Sequence, residues 1–156
     1  MITFIIGPND SGKSSYAESL IEQGTNRRYY IATMIPYGSE GEARVKKHIK
    51  MREHLNMITI EDPYFIRTDE IEDSSDVLLE DLSNLIANRM FGDGNVDLII
   101  DELKALAKKV SNLIIVSIGG IMAEGYDEET IRYIKALNSI NHSIETIADK
   151  TVRMGE

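Results

Sequence analysis

The chain has 156 residues, 42% of them hydrophobic and 28% charged, and no cysteine. That length favours a single domain, since a domain runs to about 150 residues, and the lack of cysteine excludes disulfides and thiolate metal sites and fits a reducing compartment. The 26 acidic and 17 basic residues give a net charge of -9, which repels polyanions on average and argues against nucleic acid as a partner.

In chain order, Ile2 to Ile6 reads as a buried strand that ends at Gly7. Lys13 to Glu22 has helical spacing through Tyr16, Ala17, Leu20 and Ile21, and Tyr29 to Ala32 is a second strand. Pro36, Gly38 and Gly41 mark a turn over Ile35 to Gly41, before a charged, partly exposed helix from Glu42 to Leu55. Met57 to Ile60 reads as a third strand, and Asp62 to Ser75 as an acidic surface connection. Val77 to Glu80 is an apolar strand ending in an acid, Leu82 to Phe91 a helix, and Gly92 to Asn95 a turn. Leu98 to Val110 carries a helical face, Leu113 to Ile118 is another apolar strand, and Asp127 to Ile147 holds a long helical stripe.

Strands alternating with helices predict an α/β fold with a mostly parallel sheet and helices on both faces. No basic stretch precedes the first strand, so no secretory signal is expected. The longest mostly apolar run, Leu113 to Ala123, is broken by Ser117, Gly119 and Gly120. It is far short of the roughly 20 residues that span a bilayer. The expectation is a cytoplasmic protein with no membrane contact.

The strongest motif is Gly7-Pro8-Asn9-Asp10-Ser11-Gly12-Lys13-Ser14, which fits G-x-x-x-x-G-K-[ST] in full, between a strand and a helix. The glycines let backbone N–H groups close on phosphate, and the following helix directs its positive dipole end there. Lys13 supplies a cation for phosphoryl oxygens, and the Ser14 hydroxyl is placed to ligate Mg²⁺. A nucleoside triphosphate, GTP or ATP, with Mg²⁺ is therefore the expected ligand. Asp10 opposes an anion unless its side chain points outward or caps something. A phosphoryl-transfer site also needs an acid at the end of another strand. Glu80 and Asp101 compete for that place. Asp101 is continuous with a helical pattern, so Glu80 is the favoured acid for the metal.

Beyond the phosphate loop, Ala17-Glu18, Tyr30-Ile31-Ala32-Thr33, Glu42-Ala43-Arg44-Val45-Lys46-Lys47-His48, Arg52, Thr59-Ile60-Glu61 and Val77-Leu78-Leu79-Glu80 follow in order. With Asn88 to Phe91, and more weakly Asn138, Ile140, Asn141 and Ala148-Asp149, the chain resembles the bifunctional adenosylcobinamide kinase/adenosylcobinamide-phosphate guanylyltransferases of cobalamin biosynthesis. The resemblance implies two reactions. A nucleoside triphosphate phosphorylates the aminopropanol arm of the corrinoid, and GTP then guanylylates a histidine that passes GMP to the phosphorylated product.

Carried onto this chain, the resemblance makes His48 the nucleophile, a role suited to neutral imidazole. It places Thr33, Arg52 and Glu61 against the guanine nucleotide and Glu80 near the metal. It also implies a homotrimer. By itself His48, within Lys46-Lys47-His48-Ile49-Lys50, reads as part of a solvated face.

The chain departs from the family pattern at Asn9-Asp10, at Glu53-His54-Leu55 after Arg52, and at Ile118-Gly119-Gly120-Ile121 after its last apolar strand. Its end, soon after Val152, reads as falling short of the family's last strand. Two rival readings therefore stand beside the enzyme. One is a nucleotide-binding regulatory or assembly module without turnover, and the other a small-molecule kinase with a different acceptor that does not use His48.

Overall fold

A computed structural model describes residues 1–35, 37–92 and 94–155. Six strands form one sheet: β1 (Ile2–Gly7), β2 (Arg28–Ala32), β3 (Ile58–Glu61), β4 (Asp76–Glu80), β5 (Asn112–Ile118) and β6 (Lys150–Arg153). Their order is β3-β2-β4-β5-β1-β6, and every pairing is parallel. The helices are α1 (Lys13–Gln23), α2 (Gly38–Met51), α3 (Leu82–Phe91), α4 (Ile99–Lys109) and α5 (Glu128–Ile147).

The central strands are apolar at nearly every position because both faces are covered, as parallel sheets require. Alternate residues divide between two cores. Phe4, Ile31, Val77, Leu79, Leu113 and Ile115 pack with α3, α4 and α5 on one face. Ile5, Tyr30, Leu78, Ile114 and Val116 pack with Ala17 and Ile21 of α1 and with Leu55 on the other. A fully buried Leu, Ile or Phe contributes about 1.5–3 kcal/mol, so β4, β5 and β1 are the anchor of the molecule. By contrast, α2 buries none of its residues.

Three expectations are corrected. A strand does follow α5. β6 pairs with β1 from Thr3↔Lys150 to Ile6↔Arg153, and Asp149 fixes its entry by accepting from Ile2 N at 2.6 Å and donating its own N–H to Ile2 O at 2.9 Å. The second helix begins at Gly38, inside the expected turn, and ends at Met51; a short 3₁₀ turn, Glu53–Leu55, then buries Leu55. The segment before α4 opens as a 3₁₀ turn, Val96–Leu98. The turn expectations at Pro36 and Asp93 fall outside the described residues. No helix among the described residues is long and apolar enough to cross a membrane.

Candidate active site

The phosphate loop leaves the C-terminal end of β1 and enters α1. Gly7 is forced by space: a Cβ there would lie 2.6 Å from the Met154 carbonyl oxygen and 3.0 Å from Ser11 Oγ. Gly12, at φ 88°, occupies the left-handed region that glycine adopts without strain. As the N-cap of α1 it offers no side-chain acceptor, which leaves the first N–H groups of the helix free for a ligand. Asp10 is exposed on the loop, borders the groove over it, and its charge acts on Lys13.

Lys13 is buried, and its Nζ donates to the Pro8 carbonyl at 2.6 Å, with Ser11 Oγ donating to the same oxygen at 2.7 Å. Burial pulls the Lys13 pKa below the ordinary lysine value, while the negative charges of Asp81, Glu80 and Asp10 oppose that pull. The lysine therefore lies folded on its own loop with carboxylates facing it.

β4 presents two successive acids where it meets α3. Glu80 Oε2 accepts from Tyr30 Oη at 3.0 Å, while Glu80 Oε1 is buried without a hydrogen-bond partner. The Arg52 guanidinium lies 3.6 Å from the Tyr30 ring centroid, a cation–π contact. Arg52 is buried, yet among the described residues its guanidinium makes no hydrogen bond or ion pair. Burial raises the pKa of Glu18, one turn along α1 from Ser14. Glu80 raises it further, and Arg52 and His54 counter both.

Asp81 is the N-cap of α3, accepting from Asn84 N at 2.7 Å. Its pKa is raised chiefly by burial and also by Glu80, against the Asn84 hydrogen bond and Lys13.

Thr33 is fully buried. Its hydroxyl donates to Asp81 O and accepts from Asp81 N, both at 2.8 Å, and its N–H donates to Glu80 O at 3.2 Å. Here Thr33 locks the ends of β2 and β4 together and fixes the Asp81 backbone. Thr33→Val keeps the shape and removes both hydroxyl bonds. We expect it to lower the unfolding free energy by about 1–3 kcal/mol, read as an earlier urea midpoint with unchanged slope.

Around these groups lie two hollows with a shared wall. A groove of about 450 Å³ lies over Asn9 to Ser15 and reaches Val116 and Ile118. A cleft of about 340 Å³ lies between α2 and the ends of β2, β3 and β4. Ser14, Glu80 and Asp81 border both. His48, Arg52 and Glu61 line the cleft with apolar Met34, Ile35, Val45, Pro63 and Tyr64.

Of the residues singled out in the sequence, the structure thus gathers Gly7 to Ser14 on the loop, and Ser14, His48, Arg52, Glu61 and Glu80 about one cleft. Asp101 is exposed in the first turn of α4 and lines neither hollow. Arg44 is exposed one helical turn before His48.

Sequence reading missed Asp81, Tyr30 and the Pro63–Tyr64 wall. An acid directly after Glu80 and before a helical run was a legible N-cap signal for Asp81. The wall had no local signal: Asn88 Nδ2 donates at 2.8 Å to both Pro63 O and Thr33 O, and Arg89 Nε donates to Tyr64 O at 2.5 Å, so α3 sets it from a distance.

Mg²⁺ prefers hard oxygen donors and keeps several waters, filling its remaining positions with phosphate oxygens. The Ser14 hydroxyl and the carboxylates at the end of β4 are such donors. Among the described residues no group of three or more His, Cys, Asp or Glu forms a metal cage of its own. The donor set fits a metal carried in with a nucleotide.

The fold resembles that of the flagellar accessory protein FlaH from Methanocaldococcus jannaschii, with a TM-score of 0.52 and 17% identity over 97% of this chain and 70% of that one. At that identity the likeness is one of fold, a P-loop NTPase-like α/β architecture. No curated protein matches the chain. The family model for cobinamide kinase / cobinamide phosphate guanyltransferase matches residues 3–155. The chain belongs to that CobU family of cobalamin biosynthesis, whose members are nucleotide-using enzymes acting on a corrinoid.

Proposed function

We propose that this protein phosphorylates the hydroxyl of cobinamide, in its adenosylated form, and then transfers GMP to the phosphate through a guanylylated His48. The observation that carries the reading is that the phosphate-loop groove and the cleft that His48, Arg52 and Glu61 line share the wall formed by Ser14, Glu80 and Asp81. A triphosphate on the loop lies beside the cleft that His48 borders.

In the kinase step the acceptor hydroxyl oxygen attacks the γ-phosphorus, the bond to the β-phosphate oxygen breaks, and the hydroxyl proton is released. In the second step an imidazole nitrogen of His48 attacks the α-phosphorus of GTP, and pyrophosphate leaves. The corrinoid phosphate oxygen then displaces the histidine, which regains a neutral imidazole.

Lys13 and the loop N–H groups stabilise charge on the transferring phosphoryl groups. Ser14 and the acidic end of β4, Glu80 included, hold Mg²⁺, which when bound neutralises phosphate charge. Arg52 and Glu61 contact the guanine nucleotide, and the apolar wall of Met34, Val45 and Tyr64 excludes water. A homotrimer in the cytoplasm completes the reading. It is supported by the family resemblance and by exposed Phe91 and Leu98 on neighbouring elements.

The test is incubation with cobinamide, Mg²⁺ and GTP labelled at either the α- or the γ-phosphate. We expect γ-label on cobinamide and, later, α-label on its phosphate. Nucleotide binding with neither label transferred would leave a binding module. γ-label alone would leave a kinase.

A further inference from the structure

α2 carries His48 but has little of its own to hold it in place. None of its residues is buried, and among the described residues none of its side chains enters an ion pair. An imidazole on such a helix is placed only as well as the ends of the helix are held. At its C-terminal end the chain returns to the sheet. Arg52, the C-cap, donates its N–H to His48 O at 3.2 Å and to Ile49 O at 3.1 Å. Leu55, in the turn that follows, is fully buried in the same core as Tyr30.

Tyr30 is the side chain that meets Arg52 there. It lies in the middle of β2, in register with Thr59 of β3 on one side and Leu78 of β4 on the other, and it is buried. Arg52 Cζ stands 3.6 Å from the centre of its ring, while its hydroxyl donates to Glu80 Oε2 at 3.0 Å. Such a stack uses the face of the guanidinium and leaves the N–H groups on its rim for acceptors. Those of Arg52 have no acceptor among the described residues, and Arg52 borders the cleft with His48. Burial and the Glu80 charge push the Tyr30 pKa up against the pull of Arg52, so the hydroxyl stays a donor.

We propose that Tyr30 is a positioning residue for guanylyl transfer: its ring holds Arg52, and through Arg52 the last turn of α2, so that the His48 imidazole stands against the nucleotide. The proposal rests on the reading of His48 as the guanylylated residue. The ring then serves His48, and the hydroxyl serves Glu80.

Two variants separate these ends of the side chain. Tyr30→Phe and Tyr30→Leu both lose the hydroxyl, but only the leucine loses the ring. Single-turnover attachment of α-label from saturating Mg²⁺–GTP to the protein is measured in each, beside γ-label transfer to cobinamide. Attachment is expected to be about tenfold or more slower in Tyr30→Leu than in Tyr30→Phe, the order of loss that a small misplacement of a reacting group causes. γ-Transfer, whatever the missing hydroxyl costs it, is the same in the two variants. Arg52→Ala slows attachment in the wild type but adds little to Tyr30→Leu, because both changes remove one contact. Ile114→Ala loosens the same core without bordering the cleft and leaves attachment unchanged. Urea midpoints confirm folding, and Tyr30→Met, also ringless, repeats the comparison if the leucine variant does not fold.

Equal attachment in Tyr30→Leu and Tyr30→Phe, whether fast or slow, would overturn the proposal and leave His48 its role. So would additive losses in the double variant. A loss of γ-transfer, or a loss in Ile114→Ala, as large as the loss of attachment would reduce the effect to packing and overturn it too. A wild type that takes no α-label would overturn the reading of His48 and this one with it.

Discussion

Lys13→Ala is expected to reduce phosphoryl transfer by about 10²–10³-fold, the loss that follows removal of one preorganised group from a developing oxyanion. The argument rests on where the ammonium lies. Lys13 is buried, the charges of Asp81, Glu80 and Asp10 act on it, and among the described residues its ammonium is hydrogen-bonded to the carbonyl of Pro8 on its own loop. Exchange of that hydrogen bond for phosphate is expected to leave both cores in place, because the bond runs from Lys13 to the loop and Lys13 belongs to neither core cluster.

Removing the cation leaves Asp81 and Glu80 facing an incoming triphosphate without it. The loss is therefore expected in the transition state and in nucleotide affinity together, with kcat/KM falling further than kcat. Single-turnover transfer of labelled γ-phosphate, beside calorimetric GTP binding, measures both. A variant with near wild-type transfer would show that phosphate is stabilised elsewhere, and the role of the loop would have to be given up. Thermal melting controls for folding, and little change is expected because Lys13 packs against loop rather than core.

How much of this was legible in the sequence follows from how local each feature is. The phosphate loop was readable because its geometry is set by eight consecutive residues, with Gly7 and Gly12 where the backbone needs them. Glu80 was separable from Asp101 because an apolar run ending in an acid is a strand pattern, while Asp101 continues into the periodicity of α4. β6 was not readable. Its four residues, Lys-Thr-Val-Arg, carry little apolar signal, and the segment is a strand because β1 offers a free edge and Asp149 bonds Ile2 on entry.

The early start of α2 at Gly38 was likewise hidden, since a proline and two glycines spoke for a turn and no buried face marks the helix. Thr33 carries the same lesson inside the site. Its position was picked out, but the sequence could not reveal that its hydroxyl is spent on the backbone of Asp81, 48 residues away. Asp81 itself was passed over because an N-cap acid and a site acid look alike until a second strand end is placed beside them.

His48→Ala is expected to abolish attachment of α-phosphate label from GTP to the protein while leaving GTP binding within a few-fold of wild type. The position allows a clean substitution. α2 buries none of its residues, and His48 is exposed in the last turn of the helix, so removal of the imidazole empties a place in the cleft wall without repacking a core. Arg52, at the C-cap of the same helix, holds its N–H to His48 O at 3.2 Å through backbone alone, and its guanidinium remains on Tyr30. The nucleotide contacts proposed for Arg52 therefore survive the change, and a loss of label reports the missing nucleophile rather than a missing ligand.

Phosphoryl transfer from the γ-position, for which Lys13 and not His48 is the proposed residue, should persist, and this difference separates the two half-reactions. His54→Ala serves as the control. His54 is exposed in the Glu53–Leu55 turn just beyond α2 and does not line the cleft, so its removal should leave the label in place. The adduct, a phosphoramidate, should be released by acid and resist base. Label on His48→Ala would move the nucleophile elsewhere. An unlabelled wild type that still binds GTP would remove guanylyl transfer from this protein and leave the kinase half, or binding alone, to be judged by the γ-label.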